Sequence, residues 1–204
     1  MDRERRRRRD DPGDMTRMRR TFRTLASAAA VGLALGVFAA DRAAAGEQYV
    51  DETGYAVSGY DVVAFFDKEQ APVGQPQPKA TPGRAEFTVE WNGAKWAFAS
   101  AENMARFLAD PEAYAPAYDG HCACGVAKGG KVPANPNLWR IVDGTLYLNI
   151  NPAVVGFWEA DIPGQIETAE ANWADLEDDA ASSSRWTSIN ANAPTYDTLG
   201  PLTN

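Results

Sequence analysis

The chain has very few of the side chains that bind soft metals or carry thiol chemistry. Its 204 residues include one histidine and two cysteines, and all three lie within residues 120–125 as His121, Cys122 and Cys124. This scarcity excludes a framework of several disulfides and a zinc site made of two Cys-x-x-Cys pairs. No serine lies in a Gly-x-Ser-x-Gly motif, and no pair of carboxylates stands out. We therefore expect a protein that is not an enzyme.

Features of phosphate and nucleic-acid binding are equally scarce. The glycines near residue 130 lack the GxxxxGK[ST] order, so we interpret that segment as a turn. Residues 1–45 hold eleven of the 20 basic and six of the 28 acidic residues, which leaves nine basic and 22 acidic residues and a net charge of −13 beyond them. Such a chain repels nucleic acid and anionic membranes.

The first 45 residues are typical of an export signal. Residues 1–14 are almost wholly charged or turn-forming, and Met15 is an alternative start. Basic residues then precede an apolar run at residues 25–40, and Ala43 and Ala45 fit an A-x-A cleavage site. The run is shorter than the roughly 20 residues of a membrane span. We expect cleavage after Ala45, a periplasmic or secreted protein, and no stable membrane insertion. The pair Arg19-Arg20 also resembles the twin-arginine export signal.

Residues 46–176 have the pattern of one small α+β domain made of antiparallel hairpins and helices. The apolar run at residues 62–66 is interpreted as a buried strand, and Asp61 before it is expected to cap a turn. Hairpins are predicted at residues 85–99, around Asn92-Gly93, and at residues 138–150, around Asp143-Gly144.

Helices are predicted between and after the two hairpins. Ser100 is expected to cap the first helix, which ends before Pro111 and places an apolar stripe on the core. Two further stripes follow the second hairpin, and residues 177–204 have the composition of a disordered or loosely docked tail. The stripes comprise Ala101, Met104, Phe107 and Leu108, then Val154, Val155, Trp158 and Ile162, then Ile166, Ala169, Trp173 and Leu176.

Several motifs spread over roughly residues 55–175 resemble the YHS domain family, in the version found in exported bacterial proteins. They are GYDVVAFF at residues 59–66, WAFASAEN at 96–103, FLADPEAYAP at 107–116, YDG at 118–120, CA at 122–123, GVA at 125–127, GTLYLN at 144–149 and ANW at 171–173. The resemblance implies a treble-clef-like core of the kind found in small metal-binding modules. Domains of this family occur attached to copper-transporting ATPases and hydroxylases.

The chain departs from the family pattern at two positions. The family stretch typically reads Tyr-Cys-Ala, then an aromatic or other residue, then Gly. Here His121 replaces the tyrosine, and Cys124 follows Ala123. Both departures place a potential metal ligand beside Cys122, the cysteine that the family usually has.

The segment with His121, Cys122 and Cys124 allows three interpretations. The first is a copper or zinc site, because thiolate and imidazole suit these metals; three local ligands suffice for copper(I) but do not complete a tetrahedral zinc site. The second is a strained, reducible disulfide in a thiol redox protein. The third is a structural or interaction module whose cysteines are buried or disulfide-linked, without metal. The predicted partners are a metal ion and another exported protein.

Overall fold

The structure, a computed structural model, describes residues 46–182. This part of the chain contains two antiparallel hairpins and four α-helices, joined by loops and short 3₁₀ turns. This combination confirms the predicted α+β class. The expected signal peptide, and the tail beyond residue 182, lie outside the described residues. The treble-clef-like arrangement of the core stays a prediction.

The first hairpin pairs β1 (Arg84–Trp91) with β2 (Ala94–Phe98) around the predicted two-residue turn. Asn92 and Gly93 have φ angles of 47° and 69°, and positive values at both positions match the twist of the flanking strands. On β2, Trp96 and Phe98 are fully buried and supply an aromatic face to the core.

The second hairpin pairs β3 (Asn135–Val142) with β4 (Thr145–Asn149). Its turn again has two positive φ angles, 50° at Asp143 and 84° at Gly144. The prediction of this hairpin is confirmed, although β3 begins three residues before the predicted start at residue 138.

Helix α1 (Ala101–Ala109) begins at the predicted cap, where the Ser100 hydroxyl accepts a hydrogen bond from the Asn103 amide at 3.1 Å. Phe107 is buried among aromatic rings of the first hairpin, with centroid distances of 5.0–5.6 Å. Leu108 is 55% exposed, so its predicted place on the core is wrong. Adjacent helical residues point about 100° apart, so Leu108 does not share the direction in which Phe107 meets the hairpin.

The segment at residues 62–66 is not the strand that the sequence predicts. Val63–Phe65 forms a 3₁₀ turn, although Val62, Val63 and Phe65 are fully buried as expected. The turn forms because Asp61 Oδ1 accepts hydrogen bonds from the amides of Val63 and Ala64, at 2.9 and 3.2 Å. The predicted capping role of Asp61 is therefore confirmed.

Three helices complete the described part of the chain: α2 (Ala123–Ala127), α3 (Pro152–Glu159) and α4 (Ile162–Leu176). Asn151 caps α3 and Asp161 caps α4 through their side chains. The α4 stripe faces the core as predicted, with Ala169 fully buried. Within residues 46–182, no helix has both the length and the apolar character needed to cross a membrane.

Candidate functional site

The candidate site comprises His121, Cys122 and Cys124, and a left-handed turn of the backbone comes directly before it. Tyr118, Asp119 and Gly120 have φ angles of 57°, 50° and 78°. For the two residues other than glycine this conformation costs about 1–2 kcal/mol each. Residues 48 and 49 hold the turn in place, since the Asp119 carbonyl accepts hydrogen bonds from the Gln48 side chain at 2.6 Å and the Tyr49 amide at 2.9 Å.

His121 is completely buried, and both of its ring nitrogens have hydrogen-bond partners. Nδ1 lies 2.8 Å from the carbonyl oxygen of Tyr118, and because a carbonyl only accepts, Nδ1 carries the proton. Nε2 then has a free lone pair, which accepts a hydrogen bond from the Ser182 amide at 3.1 Å. The ring packs against Tyr49 and Trp173, with centroid distances of 5.5 and 6.4 Å.

The environment of His121 keeps its ring neutral. Burial lowers its pKa from 6.5 to about 4, against the opposing effect of the hydrogen bond to Tyr118, and the positive charge of Lys131 acts in the same direction as burial. A neutral imidazole can in principle bind a metal through Nε2. In this arrangement the nitrogen would first have to give up its contact with Ser182.

Cys122 is the N-cap of α2 and is also buried. Its sulfur accepts a hydrogen bond from the Gly125 amide at 3.4 Å, and its thiol donates to Asn149 Oδ1 at 3.5 Å. Burial raises the pKa of the thiol to about 12, although neighbouring backbone amides partly oppose this effect. Cys122 therefore stays protonated at neutral pH unless a metal replaces its proton.

Cys124 lies in the first turn of α2 and shares Asn149 with Cys122. The Cys124 amide donates to Asn149 Oδ1 at 3.2 Å, so this oxygen accepts from both cysteines. Burial raises the pKa of the Cys124 thiol, and the charge of Lys128 partly offsets this. Both cysteines are free thiols, and helix α2 begins between them.

The three predicted ligands do not form a ready three-ligand set. Among residues 46–182, no group of three or more His, Cys, Asp and Glu side chains is placed to hold a metal ion. Asn149 Oδ1 accepts hydrogen bonds from the Cys122 thiol and the Cys124 backbone amide, whereas the His121 ring is hydrogen-bonded to Tyr118 and Ser182. Two thiols and one imidazole are one ligand short of a four-ligand zinc site. Metal binding by His121, Cys122 and Cys124 stays a prediction.

Two residues of the site were not identified from the sequence. Asn149 is a fully buried polar residue at the end of the apolar strand β4, and this position was its only signal. Ser182 lies in the predicted tail, where composition gives no indication of a contact. Only the folded chain brings them to the cysteines and to His121, across 25–61 residues of sequence.

Comparison with known proteins gives one match, to a family. The family model of the YHS domain matches residues 76–118. No curated protein and no solved structure matches the chain. The matched segment contains the first hairpin and α1 and ends at Tyr118, three residues before His121, so the three predicted ligands lie outside it. On this match, residues 76–118 of the chain are similar to the YHS domain.

Proposed function

We propose that the chain is an exported protein that handles a soft metal ion, with the thiols of Cys122 and Cys124 as its ligands. The match of residues 76–118 to the YHS domain supports metal handling in general. The observation that carries the proposal for this chain is the pair of free, buried thiols two residues apart at the start of α2, where Asn149 Oδ1 accepts from the Cys122 thiol and the Cys124 amide. A second exported protein that delivers or receives the ion is the partner class that this role requires.

Copper(I) fits this pair better than zinc. Thiolates are preferred ligands of copper(I), which accepts two of them, whereas a structural zinc ion takes four ligands in a tetrahedral site. No third or fourth ligand is grouped with the thiols in the part of the chain that the structure describes. Zinc binding would therefore require ligands from another molecule or a rearrangement of His121.

His121 serves this site first as a structural residue. Its ring holds the left-handed turn through Tyr118 and contacts the 181–182 segment through Ser182. It becomes available as a third ligand only when Ser182 leaves Nε2. The proposal thus predicts sulfur ligation with His121 in place, and an added nitrogen ligand after the chain is shortened to residue 180.

The raised thiol pKa values make metal uptake dependent on pH. Both thiols are protonated at neutral pH, because burial raises the pKa of Cys122 to about 12 and raises that of Cys124 as well. Binding through both sulfurs releases two protons, so the apparent affinity should rise about 100-fold per pH unit between pH 6 and 8. A site that used one thiol would show a tenfold rise.

A competition titration tests the proposal. The reduced protein is titrated with copper(I) against a colorimetric chelator under anaerobic conditions. We expect one ion per chain, loss of uptake in the double variant Cys122→Ser/Cys124→Ser, and retained stoichiometry in His121→Gln. Failure of the folded, reduced protein to take up copper(I) or zinc would exclude metal handling at this site. Loss of uptake in a folded His121→Gln variant would show that the imidazole is a ligand without any shortening of the chain.

A structural module without metal is the second candidate. It is favoured by the hydrogen bonds of His121 and Cys122, which occupy both ring nitrogens and the sulfur inside the core. In that case neither metal binds under reducing conditions, and substitutions in the segment lower the melting temperature without any other effect. The copper(I) titration separates the two candidates.

A further inference from the structure

A second concave site lies between the proline-rich loop at residues 71–79 and helix α3, with β3 as its floor. The cleft has a volume of about 400 Å³, within the range of small-molecule sites. Its walls are mainly apolar and include Pro76, Leu138, Pro152 and Val155. None of its lining residues belongs to the candidate metal site, so the two sites can be tested independently.

A buried ion pair fixes the loop wall of the cleft against the helix wall. The Arg140 Nε donates to Glu159 Oε1 at 2.7 Å, and both side chains are at least 93% buried. The Arg140 guanidinium also donates to the Ala71 carbonyl at 3.2 Å, and the Gly74 amide donates to Glu159 Oε2 at 2.7 Å. Removing one partner of such a pair is strongly destabilising, so the loop is held in place and the cleft is already formed.

The helix wall is open because its central position is a glycine. Gly156 lies inside α3, where glycine is among the least favourable residues. Its backbone is not left-handed, and a Cβ built there would meet no atom within 4 Å. Neither conformation nor close packing therefore requires a glycine at this position. A larger side chain at residue 156 would project into the space of the cleft that Gly156 lines.

The cleft has one uncompensated charge. Of its lining residues, Lys79 and Glu159 are ionisable, and the charge of Glu159 is neutralised by Arg140. Lys79 is exposed and has no ion-pair partner among residues 46–182. An apolar cleft with an unpaired ammonium group among its lining residues is complementary to a molecule that has an apolar body and an acidic group.

We propose that this cleft binds a small organic anion with an apolar body. The acidic group pairs with Lys79, and the apolar part lies over Leu138 and Val155 in the space that Gly156 leaves open. The fixed loop reduces the ordering needed on binding, which favours a specific site over a surface that adapts to its ligand.

Octanoate is a suitable probe, with 1-octanol as its neutral counterpart. Both are titrated into the full-length chain, and amide chemical shifts are followed by NMR. We expect saturable shifts at residues 74–79, 137–138 and 155–159. Octanoate should bind about two- to fivefold more tightly than 1-octanol, the factor that a solvent-exposed ion pair provides. Absence of saturable octanoate shifts at these residues up to about 10 mM, a weak-binding limit, would overturn the proposal.

Two pairs of variants test the apolar space and the charge separately. Gly156→Leu should weaken octanoate binding at least tenfold while the melting temperature is kept or raised, because leucine favours the helix. Ala153→Leu, on an exposed position of α3 outside the cleft, should bind as the parent does. Lys79→Gln should remove the preference for octanoate over 1-octanol, and Lys68→Gln should keep it. Unchanged octanoate binding in Gly156→Leu would refute the site. An unchanged preference for octanoate over 1-octanol in Lys79→Gln would refute its selectivity for anions.

Discussion

The substitution Asp61→Asn provides a sharp test of how the domain is held together. Asp61 is completely buried, and its two oxygens accept four hydrogen bonds. Oδ1 accepts from Val63 and Ala64 in the 3₁₀ turn, whereas Oδ2 accepts from the Ala99 amide at 2.8 Å and the Asn103 side chain at 2.7 Å. One carboxylate thereby joins three parts of the fold: the 3₁₀ turn, the end of β2 and the start of α1.

The expected loss follows from the number of acceptors. Asparagine keeps one oxygen but places an amide NH₂ where two donors point at the other, whichever way the side chain is oriented. Hydrogen bonds to a charged group contribute about 1.5–3 kcal/mol each, and the Asn103 side chain can turn to recover part of this. We therefore expect Asp61→Asn to lower the free energy of unfolding by about 3 kcal/mol, and Asp61→Ala by about 5 kcal/mol.

Urea unfolding followed by tryptophan fluorescence measures this loss. With a slope of about 2 kcal/mol/M, a loss of 3 kcal/mol lowers the midpoint by about 1.5 M. Asp67→Asn is the matched control, since Asp67 makes a largely exposed ion pair with Arg106 at 2.7 Å and should contribute at most about 1 kcal/mol. If Asp61→Asn costs less than 1 kcal/mol, or no more than Asp67→Asn, the carboxylate does not join these segments as described.

Two further predictions concern the candidate site. The pKa of His121 is about 4 in the folded chain and about 6.5 in the unfolded chain, so the unfolded state binds more protons between these pH values. The free energy of unfolding should therefore fall by up to about 3 kcal/mol as the pH drops from 6.5 to 4. Urea unfolding across this range should show the loss in the parent chain, and an equal pH dependence in folded His121→Asn would contradict it. Cys122 should react with a thiol reagent at pH 8 at least a hundredfold more slowly in the folded chain than in urea, because burial both raises its pKa to about 12 and blocks access. Stopped-flow absorbance with Ellman's reagent measures both rates, and rapid modification of two thiols in the folded chain would show that the segment is open.

Local signals predicted most of the secondary structure correctly. Asn92-Gly93 and Asp143-Gly144 fix two-residue turns because their backbones tolerate positive φ angles, and Ser100 starts α1 because its hydroxyl satisfies a backbone amide. These interactions join residues at most a few positions apart, so the sequence contains the information directly. The prediction of a strand at residues 62–66 was wrong because a buried strand and a buried turn both require an apolar run. The hydrogen bonds of the Asp61 side chain select the turn.

The sequence alone determined that every histidine and cysteine of the chain lies within four positions, and that Cys122 and Cys124 are the candidate thiol ligands. Tertiary structure decided which chemistry these side chains retain. Asn149 accepts hydrogen bonds from the Cys122 thiol and the Cys124 amide, whereas Tyr118 and Ser182 occupy both nitrogens of His121. Ligand availability depends on Asn149 and Ser182, which the fold brings from 25–61 residues away, and on the burial that shifts each pKa. Neither is present in the spacing of the residues.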